Sequence, residues 1–497
     1  MKNIKTVQKI TILTVIMVIV ILSSSFHFPI QITDALTLEA LPDFDIHISI
    51  WRILMEPLMG ILLFFNRSIY AIEENQFVLY WVLIFFFIYS LIRIITFHNK
   101  QERKNFYISQ LVNLPFVIGL WFTYFVILLF LSRFFPSNTI VNNSKDSILV
   151  TTHAHTEFSH DGLISQENLW KWHKNNNFDA FFITDHNNHS KTIDFLNDQR
   201  NGKFPMEPLV MCGEEFSGTN HLSLLGLKRK FDTSKYSDER VIDSVRANGG
   251  AVLVNHWYDG EHKTLDYYRD LGVDGFEIEN TAAERSYDRV IYQKVKNYCE
   301  DNKLIMNGGL DFHGYGNVCS IWNAMQIPGW RDLNPLAKEE AIINVIKSHD
   351  QSKLKVLLYK DRPFYTIDNL FWRPIITFFN YFRTLNFYQV LSWIFWIVVI
   401  VFIKERIVNS SILKERFSSN RIVPLIGILA ALFMLVLGGF YYAKIGELVG
   451  TANDIFIEYS MILFSAGSAF LLYASLVTYY RILKKSKIKW SSNEKMD

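Results

Sequence analysis

Long apolar runs lie towards the two ends of the chain and leave its middle free of them. Six runs each approach the 17 to 25 apolar residues, roughly, that a helix needs to cross a bilayer core: 10–26, 77–97, 114–135, 387–403, 422–443 and 455–480. No such run lies between residues 147 and 360. The pattern predicts a multi-pass integral membrane protein with transmembrane regions at 1–146 and 361–497, of about three spans each, and a soluble domain at 147–360.

Two further segments predict helices at the membrane surface. Segment 48–66 is apolar, but Arg52 and Glu56 lie one helical turn apart and Pro57 follows, so a lipid-exposed span would bury two charges. We predict an interfacial or re-entrant helix there, with a span buried inside a helical bundle as the alternative. Segment 368–382 mixes aromatic residues with nearby arginines, which is typical of an interfacial helix that would hold the central domain close to the bilayer.

The distribution of lysine and arginine predicts the orientation. Segments 98–104 and 404–421 and the tail after residue 480 are strongly basic, whereas 27–47 contains neither residue type. Short basic loops stay in the cytoplasm, so the central domain is predicted on the non-cytoplasmic side, where no nucleic-acid partner is expected. The net charge of +2 is explained by this topology and does not indicate a nucleic-acid partner. Three cysteines are too few and too odd in number for a disulfide framework.

The central domain alternates between short β-like runs and helical stretches. Helical stretches are expected at 165–175, 237–248 and 286–301. The seven β-like runs are 147–152, 180–184, 208–212, 221–227, 251–255, 275–280 and 304–310. This alternation predicts a barrel-like α/β domain with a parallel sheet. In such barrels the chemistry is found at the carboxyl ends of the strands.

Five of the seven β-like runs end in residue types that bind metals. These residues are His153 and His155, Asp185 and His186, Glu214 and Glu215, His256, and Asp311 and His313, while His221 opens the fourth run. Two histidines separated by one residue on a strand point to the same side. Imidazole and carboxylate bind zinc, manganese and iron, and carboxylates that bridge hold two or more cations together. The clusters therefore predict a shared metal site.

Six motifs resemble, in order and approximate spacing, the PHP (polymerase and histidinol phosphatase) family. They are HAHTEFSHDG, ITDHN, GEEFSGTNHLSLLGL, GGAVLVNHW, GFEIEN and GGLDFHG, and the resemblance covers about 200 of the 497 residues. It implies a distorted seven-stranded (β/α) barrel of PHP type, here inserted between two all-α transmembrane bundles. It also implies a metal-dependent phosphoesterase with two or three divalent metal ions, which would be zinc, manganese or iron.

The family pattern falls on specific residues of this chain. The implied metal ligands are His153, His155, Asp161, His186, Glu215, His221, His256, Asp311 and His313. Among them, Asp161, His186, His256 and Asp311 are the implied catalytic residues. Trp257 stands where the family usually has proline and is expected to shape the substrate pocket. Arg285 is a candidate phosphate contact, with a surface salt bridge as the alternative, and His160 is an extra residue interpreted as a bystander.

Other polar residues of the domain receive structural interpretations. His173 is expected on a solvated helix surface, and His189 is expected to cap the next helix or face solvent. Glu214 should point away from Glu215 because neighbouring strand residues alternate. Glu277 is placed near the pocket by the resemblance, and a structural hydrogen bond is its alternative role.

The mechanism implied is metal-assisted hydrolysis, in which a metal-bound hydroxide attacks a phosphoester at an exported, membrane-tethered site. The expected partners are membrane lipid and a phosphoester substrate associated with it. Two other function classes stay open. One is a metal-dependent hydrolase of C–N or C–O bonds, and the other is a non-catalytic metal-binding sensor or accessory of envelope assembly.

Overall fold

The computed structural model describes residues 2–65, 72–96, 101, 106, 114–127, 135–257, 263–280, 289–314, 319–361, 372–410, 419–447 and 454–493. Arg285, the candidate phosphate contact, lies outside these residues. Most of the basic segment 98–104 and part of the basic segment 404–421 also lie outside them.

Ten strands form one curled sheet, and two more form a separate two-stranded antiparallel sheet. The strands are β1 (Gln31–Asp34), β2 (Phe44–Ile48), β3 (Asn138–Asn142), β4 (Ser147–Thr151), β5 (Ala180–Ile183), β6 (Leu209–Ser217), β7 (His221–Leu225), β8 (Ala251–Val254), β9 (Gly275–Asn280), β10 (Ile305–Gly309), β11 (Ile321–Gln326) and β12 (Leu354–Lys360). The order in the large sheet is β1-β12-β11-β4-β5-β6-β7-β8-β9-β10, and β2 pairs with β3. All seven predicted strands form, as β4 to β10.

The sheet is mixed, so the prediction of a parallel sheet is wrong in part. Strands β4, β5 and β6 are parallel, as are β8, β9 and β10, but β7 is antiparallel to both of its neighbours. The reason is the connection between β6 and β7, which runs only from Ser217 to His221. Parallel neighbours need a crossover of a dozen or more residues, whereas a short turn joins antiparallel strands.

Three strands outside the seven extend the sheet beyond the expected barrel. Strand β11 pairs with β4, and β12 pairs with β11, both in antiparallel orientation. Strand β1, which precedes the central region in the chain, pairs antiparallel with β12. The curl brings β10 back to β11, where the buried amide of Asn323 bonds both the N–H and the C=O of Gly308 at 2.8 and 2.9 Å. A curled ten-stranded sheet therefore replaces the predicted seven-stranded barrel.

The helices of the α/β region cover the sheet and are capped locally. They are α6 (Gln166–Asn175), α7 (Ser190–Arg200), α8 (Asp238–Ala247), α9 (Leu265–Leu271), α10 (Arg289–Asn302) and α11 (Pro335–Lys347). The side chains of Ser165, Ser237 and Thr264 accept backbone N–H groups at the starts of α6, α8 and α9, which satisfies donors that the helix leaves free. The predicted helices at 165–175, 237–248 and 286–301 correspond to α6, α8 and α10.

The remaining helices come before or after the α/β region in the chain, and most of them are apolar. They are α1 (Lys2–Ser25), α2 (Ile50–Leu54), α3 (Ile61–Phe65), α4 (Ile72–Thr96), α5 (Leu114–Ile127), α12 (Trp372–Arg383), α13 (Phe387–Asn409), α14 (Ser419–Glu447) and α15 (Ile455–Asn493). Among the described residues, three stretches are long and apolar enough to cross a membrane: Phe387–Ile407, Leu425–Ile445 and Ile455–Tyr480. The apolar stretches Lys9–Ser25, Leu79–Ile95 and Leu114–Ile127 are shorter.

Helices from before and after the α/β region pack together, which differs from the expected pair of separate bundles. Ile19 of α1 and Phe64 of α3 share an apolar cluster with Tyr381, Phe382 and Val390. Phe116 of α5 shares another cluster with residues of α14 and α15. The pairing of β1 with β12 brings the two ends of the α/β region together, so helices on either side of it become neighbours in space.

Residues 50–65, within the segment predicted at 48–66, form a broken helix whose charges are paired inside the protein. Helix α2 is followed by a π-helical turn (Glu56–Gly60) that begins beside Pro57, and then by α3. Arg52 contacts Glu56 at 2.9 Å, and Glu56 is fully buried. Glu56 also accepts hydrogen bonds from Tyr381 and Gln389 at 2.8 and 2.9 Å. These partners explain how a charged pair is accommodated in an apolar segment.

Candidate metal centre

The nine predicted metal ligands converge at one edge of the curled sheet. His153 and His155 follow β4, His186 follows β5, Glu215 lies in β6, His256 follows β8, and Asp311 and His313 follow β10. His221 also reaches this edge, because β7 is antiparallel and its first residue lies beside the carboxyl ends of its neighbours. The strand direction that the sequence analysis missed therefore explains the position of His221.

Glu215 is the centre of the cluster. Its Oε2 lies 3.0 Å from Nε2 of His153 and 3.0 Å from Nε2 of His155. Its Oε1 lies 3.1 Å from Nδ1 of His221 and 3.2 Å from Nε2 of His256. Oε2 also lies 3.4 Å from Nε2 of His186. The two oxygens therefore face different sets of imidazoles, which is how a carboxylate that bridges two cations would be placed.

Asp161 is the centre of the neighbouring part of the cluster. Its Oδ2 lies 2.9 Å from Nε2 of His313 and 3.4 Å from Nε2 of His186. Asp311 connects the two parts, because its Oδ1 lies 3.2 Å from Nε2 of His155, a partner of Glu215, and 3.6 Å from Nδ1 of His313, a partner of Asp161. Carboxylate and imidazole donors thus alternate across the whole site.

Three overlapping groups of donors are close enough to hold metal ions. They are His155, Asp161, His186 and His313; His153, His155, Glu215 and Asp311; and His186, Glu215 and His221, with the donor atoms of each group within 4.8 Å of one another. His256 lies outside these groups but contacts Glu215. The sharing of His155, His186 and Glu215 between groups is the arrangement that adjacent metal sites require.

Two donor atoms are oriented towards the site and not towards a hydrogen-bond partner. Nε2 of His155 and Nδ1 of His221 are buried and lie close to Glu215, yet neither makes a well-directed hydrogen bond within the described part of the chain. A buried polar atom without a partner is costly. The residues therefore fit a cation that would accept these lone pairs.

Contacts on the outer side of three imidazoles fix their orientation. Nδ1 of His153 lies 2.8 Å from Oε1 of Glu277, and Nδ1 of His186 lies 3.2 Å from Oγ of Ser217. Nδ1 of His313 lies 2.8 Å from the carbonyl oxygen of Asp311. A proton held at Nδ1 leaves a lone pair on Nε2, which faces the site in all three residues. Glu277 therefore makes a structural hydrogen bond and belongs to the pocket as well.

Sequence reasoning missed three polar residues that support the ligands. The amide of Asn255 donates to Oε1 of Glu215 at 2.9 Å. The hydroxyl of Ser159 donates to Oδ1 of Asp161 at 2.7 Å, and that of Ser217 contacts His186. Asn255 directly precedes His256, and Ser159 lies in the ligand-rich motif, so proximity in the chain was the only available signal.

The charges of the cluster explain the pKa values of its members. Burial alone would lower the pKa of His155, but its contacts with Asp311 and Glu215 outweigh burial and raise the pKa to about 10. Burial alone would raise the pKa of Asp161, but the imidazoles of His313 and His186 hold it well below its ordinary value. Burial lowers the pKa of His186 to about 4. The buried carboxylates are thus stabilised by positive charge close to them. Divalent cations would supply this charge, and the imidazoles would then be neutral.

Two of the nine residues have left-handed backbone conformations. His256 has φ of 21° and Asp311 has φ of 49°, a region that non-glycine residues seldom adopt. Such conformations cost energy and are found where a site holds a side chain in a required direction. Both residues directly follow strands or strand ends, so the change in direction turns their side chains into the site.

The structure shows the surroundings of three further polar residues. His173 is fully buried, which differs from the expected solvated surface, and it stacks on Phe181 at 4.0 Å between ring centroids, because the polar helix α6 turns this face to the sheet. His189 is the N-cap residue of α7, which agrees with one of its two expected positions, but its side chain is buried and bonds Glu214, which points away from the site as expected. Asp185 lies in no donor group; it accepts the N–H and hydroxyl of Thr156 at 2.5 and 2.7 Å.

Trp257 and His160 flank the cluster in different ways. The Trp257 side chain is mostly buried, its indole N–H donates to the carbonyl of Lys263 at 2.9 Å, and Lys294 lies over its ring. Its role in substrate binding stays a prediction. His160 has a 53% exposed side chain, and its Nε2 lies 3.7 Å from Asp161. This distance exceeds a hydrogen bond.

Comparisons with solved structures give weak overall similarities. A two-domain protein from Bacteroides vulgatus containing a predicted PHP-like metal-dependent phosphoesterase is 16% identical, with TM-score 0.33, over 43% of this chain and 65% of that one. This chain therefore covers slightly less than two thirds of that protein. PsfC from Pseudomonas syringae is 17% identical, with TM-score 0.33, over 48% of this chain and 98% of that one. An amidohydrolase from Chromobacterium violaceum is 12% identical, with TM-score 0.29, over 37% of this chain and 98% of that one.

No curated protein matches this chain significantly. The family comparison matches a segment that begins beside the first predicted ligand and contains His153, Asp161, His186, Glu215, His221 and His256. Residues 151–271 of this chain match the model of the PHP domain family.

Proposed function

We propose that this protein is a metal-dependent hydrolase, and specifically a phosphoesterase, with its active site at the metal centre described above. The observation that carries the proposal is the convergence of six imidazoles and three carboxylates into overlapping donor groups. Two or three divalent ions of zinc, manganese or iron would be held there, since mixed imidazole and carboxylate ligands suit these metals. The match of residues 151–271 to the PHP domain family supports the same conclusion.

Different residues of the protein would have different roles in such a site. Glu215 and Asp311 would hold cations together, and Glu277 and Ser217 keep His153 and His186 turned inward. Bound cations would lower the pKa of a water molecule and neutralise charge on phosphoryl oxygens. Asp161 is the most solvent-accessible carboxylate of the nine, with a side chain 23% exposed, so it borders the space that substrate would enter. The exposed ligand edge around Asp161 and His221 is where substrate would bind.

The helices support an exported site tethered to the membrane. The amino-terminal end of α13 lies near the α/β region, because Gln389 and Tyr359 line one cavity. The carboxyl-terminal end of the same helix carries Lys404 and Arg406. Basic residues favour the cytoplasmic side, so the end beside the α/β region would lie outside. The α/β region would then be held at the outer face of the membrane.

A phosphoester panel on the purified full chain tests the proposal. The panel contains a phosphomonoester and a phosphodiester of p-nitrophenol, with a p-nitrophenyl carboxylic ester and an anilide as controls. We expect turnover of a phosphoester that is lost after metal removal by a chelator and restored by Mn²⁺ or Zn²⁺. Asp311→Ala and His153→Ala should each lose both bound metal and turnover. Turnover by metal-stripped protein, or cleavage of only the carboxylic ester or anilide, would overturn the proposal.

A further inference from the structure

The segment 156–164, here called the Asp161 loop, connects the metal centre to the membrane helices. At one end the loop is held by Asp185 through Thr156, and at the other Leu163 donates its N–H to the carbonyl of His313 at 2.8 Å. The loop is tightly closed, because a Cβ atom on Gly162 would lie 1.9 Å from the carbonyl oxygen of Thr156. Its position is therefore tied to Asp185 at one end and to the predicted ligand His313 at the other.

The outer face of the Asp161 loop packs on the C-terminal hairpin, defined as helices α14 and α15. Leu163 is buried in the apolar cluster that contains Met434, Tyr441 and Phe456 of the hairpin. Phe158 packs against the same cluster. A loop that carries a metal ligand thus shares an apolar core with two helices that are long enough to cross a membrane.

Polar contacts fix the loop to the end of the hairpin. The backbone N–H groups of Asp454 and Ile455 both donate to the carbonyl oxygen of His160, at 3.1 and 3.2 Å. Nζ of Lys444 lies 3.7 Å from Oε2 of Glu157. His160 directly precedes Asp161, so the contacts of the hairpin reach the residue adjacent to a metal ligand.

These contacts lie at the boundary between apolar and polar parts of the hairpin. The first apolar stretch ends at Ile445 and the second begins at Ile455, so Lys444 and Asp454 flank the end of the hairpin. Tyr441 and Tyr459 pack near the same end, with ring centroids 6.5 Å apart. Charged and tyrosine side chains at the ends of apolar helices are typical of the headgroup region of a bilayer.

The part of the solvent-accessible edge of the metal centre that Asp161 forms is on this side. The side chains of His160 and Asp161 are 53% and 23% exposed, whereas that of Glu215 is 1% exposed. Substrate that reaches the cations past Asp161 would therefore pass beside the hairpin end, at the depth of lipid headgroups.

We propose that the substrate is a phosphoester carried by a membrane lipid, presented to the metal centre at the hairpin end. This inference rests on the proposed phosphoesterase function and adds the substrate class. A lipid phosphate would lie beside Asp161 while its acyl chains remain in the bilayer. The bilayer would supply binding energy and a high local substrate concentration that the free headgroup lacks.

The test compares lipid phosphoesters with the same headgroups lacking acyl chains. The full chain is placed in nanodiscs of a galactolipid that contains no phosphorus, doped with dioleoylphosphatidic acid or dioleoylphosphatidylglycerol. The soluble counterparts are glycerol phosphate and glycerophosphoglycerol. We expect kcat/KM for at least one lipid to exceed that of its counterpart by about tenfold or more, with loss of turnover after chelation.

Two negative outcomes distinguish the lipid-substrate proposal from the phosphoesterase proposal. Equal or higher kcat/KM for the soluble counterparts, with turnover still dependent on metal, would overturn the lipid proposal and leave the phosphoesterase proposal standing. Absence of turnover for every lipid, every soluble counterpart and the p-nitrophenyl phosphoesters would overturn both.

A matched pair of variants tests the contribution of the hairpin contact. Lys444→Glu reverses a charge beside Glu157, and Lys338→Glu makes the same change at an ion pair with Glu207 that is also 3.7 Å long but lies elsewhere. We expect Lys444→Glu to lower the lipid preference about fivefold or more, with bound metal unchanged, and Lys338→Glu to leave the preference unchanged. An equal loss with lipid and soluble substrates in the Lys444 variant would overturn the assigned role of this contact.

Discussion

At the scale of single residues, His160 and Asp161 are neighbours in the chain with different environments. Asp161 contacts His313 and His186, and Ser159 donates to its other oxygen. His160 is half exposed and lies 3.7 Å from the nearest oxygen of Asp161. The same loop therefore presents one side chain to the site and the other to solvent.

Substituting these two residues separately should separate their roles. Asp161→Asn should lower turnover by more than about 100-fold, because removing a ligand costs more than the tenfold to 100-fold typical of residues that only support one. His160→Gln should change turnover by less than about threefold, as is usual for an exposed side chain. Turnover and bound metal are measured for both variants. A large loss in the His160 variant with metal retained would instead assign His160 to proton transfer.

At the scale of secondary structure elements, helix α6 shows how a polar helix contributes to the core. Its sequence, QENLWKWHKN, contains few apolar residues, yet His173 is buried against Phe181 of β5 and contacts the carbonyl oxygen of Leu169 at 2.9 Å. Burial lowers the pKa of His173 from 6.5 to about 3. This imidazole is therefore neutral in the folded protein under ordinary conditions.

The buried imidazole of His173 should make the fold sensitive to acid. Between pH 6.5 and about 3 the unfolded chain binds a proton at His173 that the folded chain does not, so stability falls as the pH is lowered through this window. The expected loss between pH 7 and pH 5 is roughly 2 kcal/mol. His173→Phe removes the titrating group and should flatten the decrease in thermal unfolding temperature over this range. An identical decrease in the variant and the wild type, measured at the same metal loading, would contradict the assignment.

At the scale of the whole molecule, the curled sheet joins the two halves of the helical region. Strand β1, close to the end of α1, pairs with β12, close to the start of α12. The Asp161 loop then packs on the C-terminal hairpin. The candidate metal centre is therefore connected to the apolar helices both through the sheet and through the Asp161 loop.

The topology can be measured by cysteine labelling, because the three native cysteines are buried. Asn143→Cys lies on the α/β side, where Asn143 is exposed, and Ser410→Cys follows α13 in the basic segment 404–421. A membrane-impermeant maleimide applied to intact cells should label the Asn143 variant. It should label the Ser410 variant only after permeabilisation, since basic segments stay in the cytoplasm. Labelling with the opposite pattern would place the metal centre in the cytoplasm.

The sequence alone determined the features that depend on local pattern. The lengths of the apolar runs identified the helices, and strand periodicity identified β4 to β10. The pairs His153 and His155, and Asp311 and His313, predicted a shared cluster because metal-binding residue types recur at the ends of the β-like runs, and the structure brings the four side chains together. These signals are local, so each can be read without knowledge of what packs against the segment.

The tertiary structure decided what depends on segments distant in the chain. The antiparallel direction of β7, which puts His221 at the ligand edge, follows from a short turn whose partners the alternation pattern did not reveal. Closure of the curl depends on the amide of Asn323 bonding Gly308, a side-chain contact with no periodic signal. The burial of His173 and the packing of Leu163 on the hairpin likewise depend on partners that only the folded chain brings into contact.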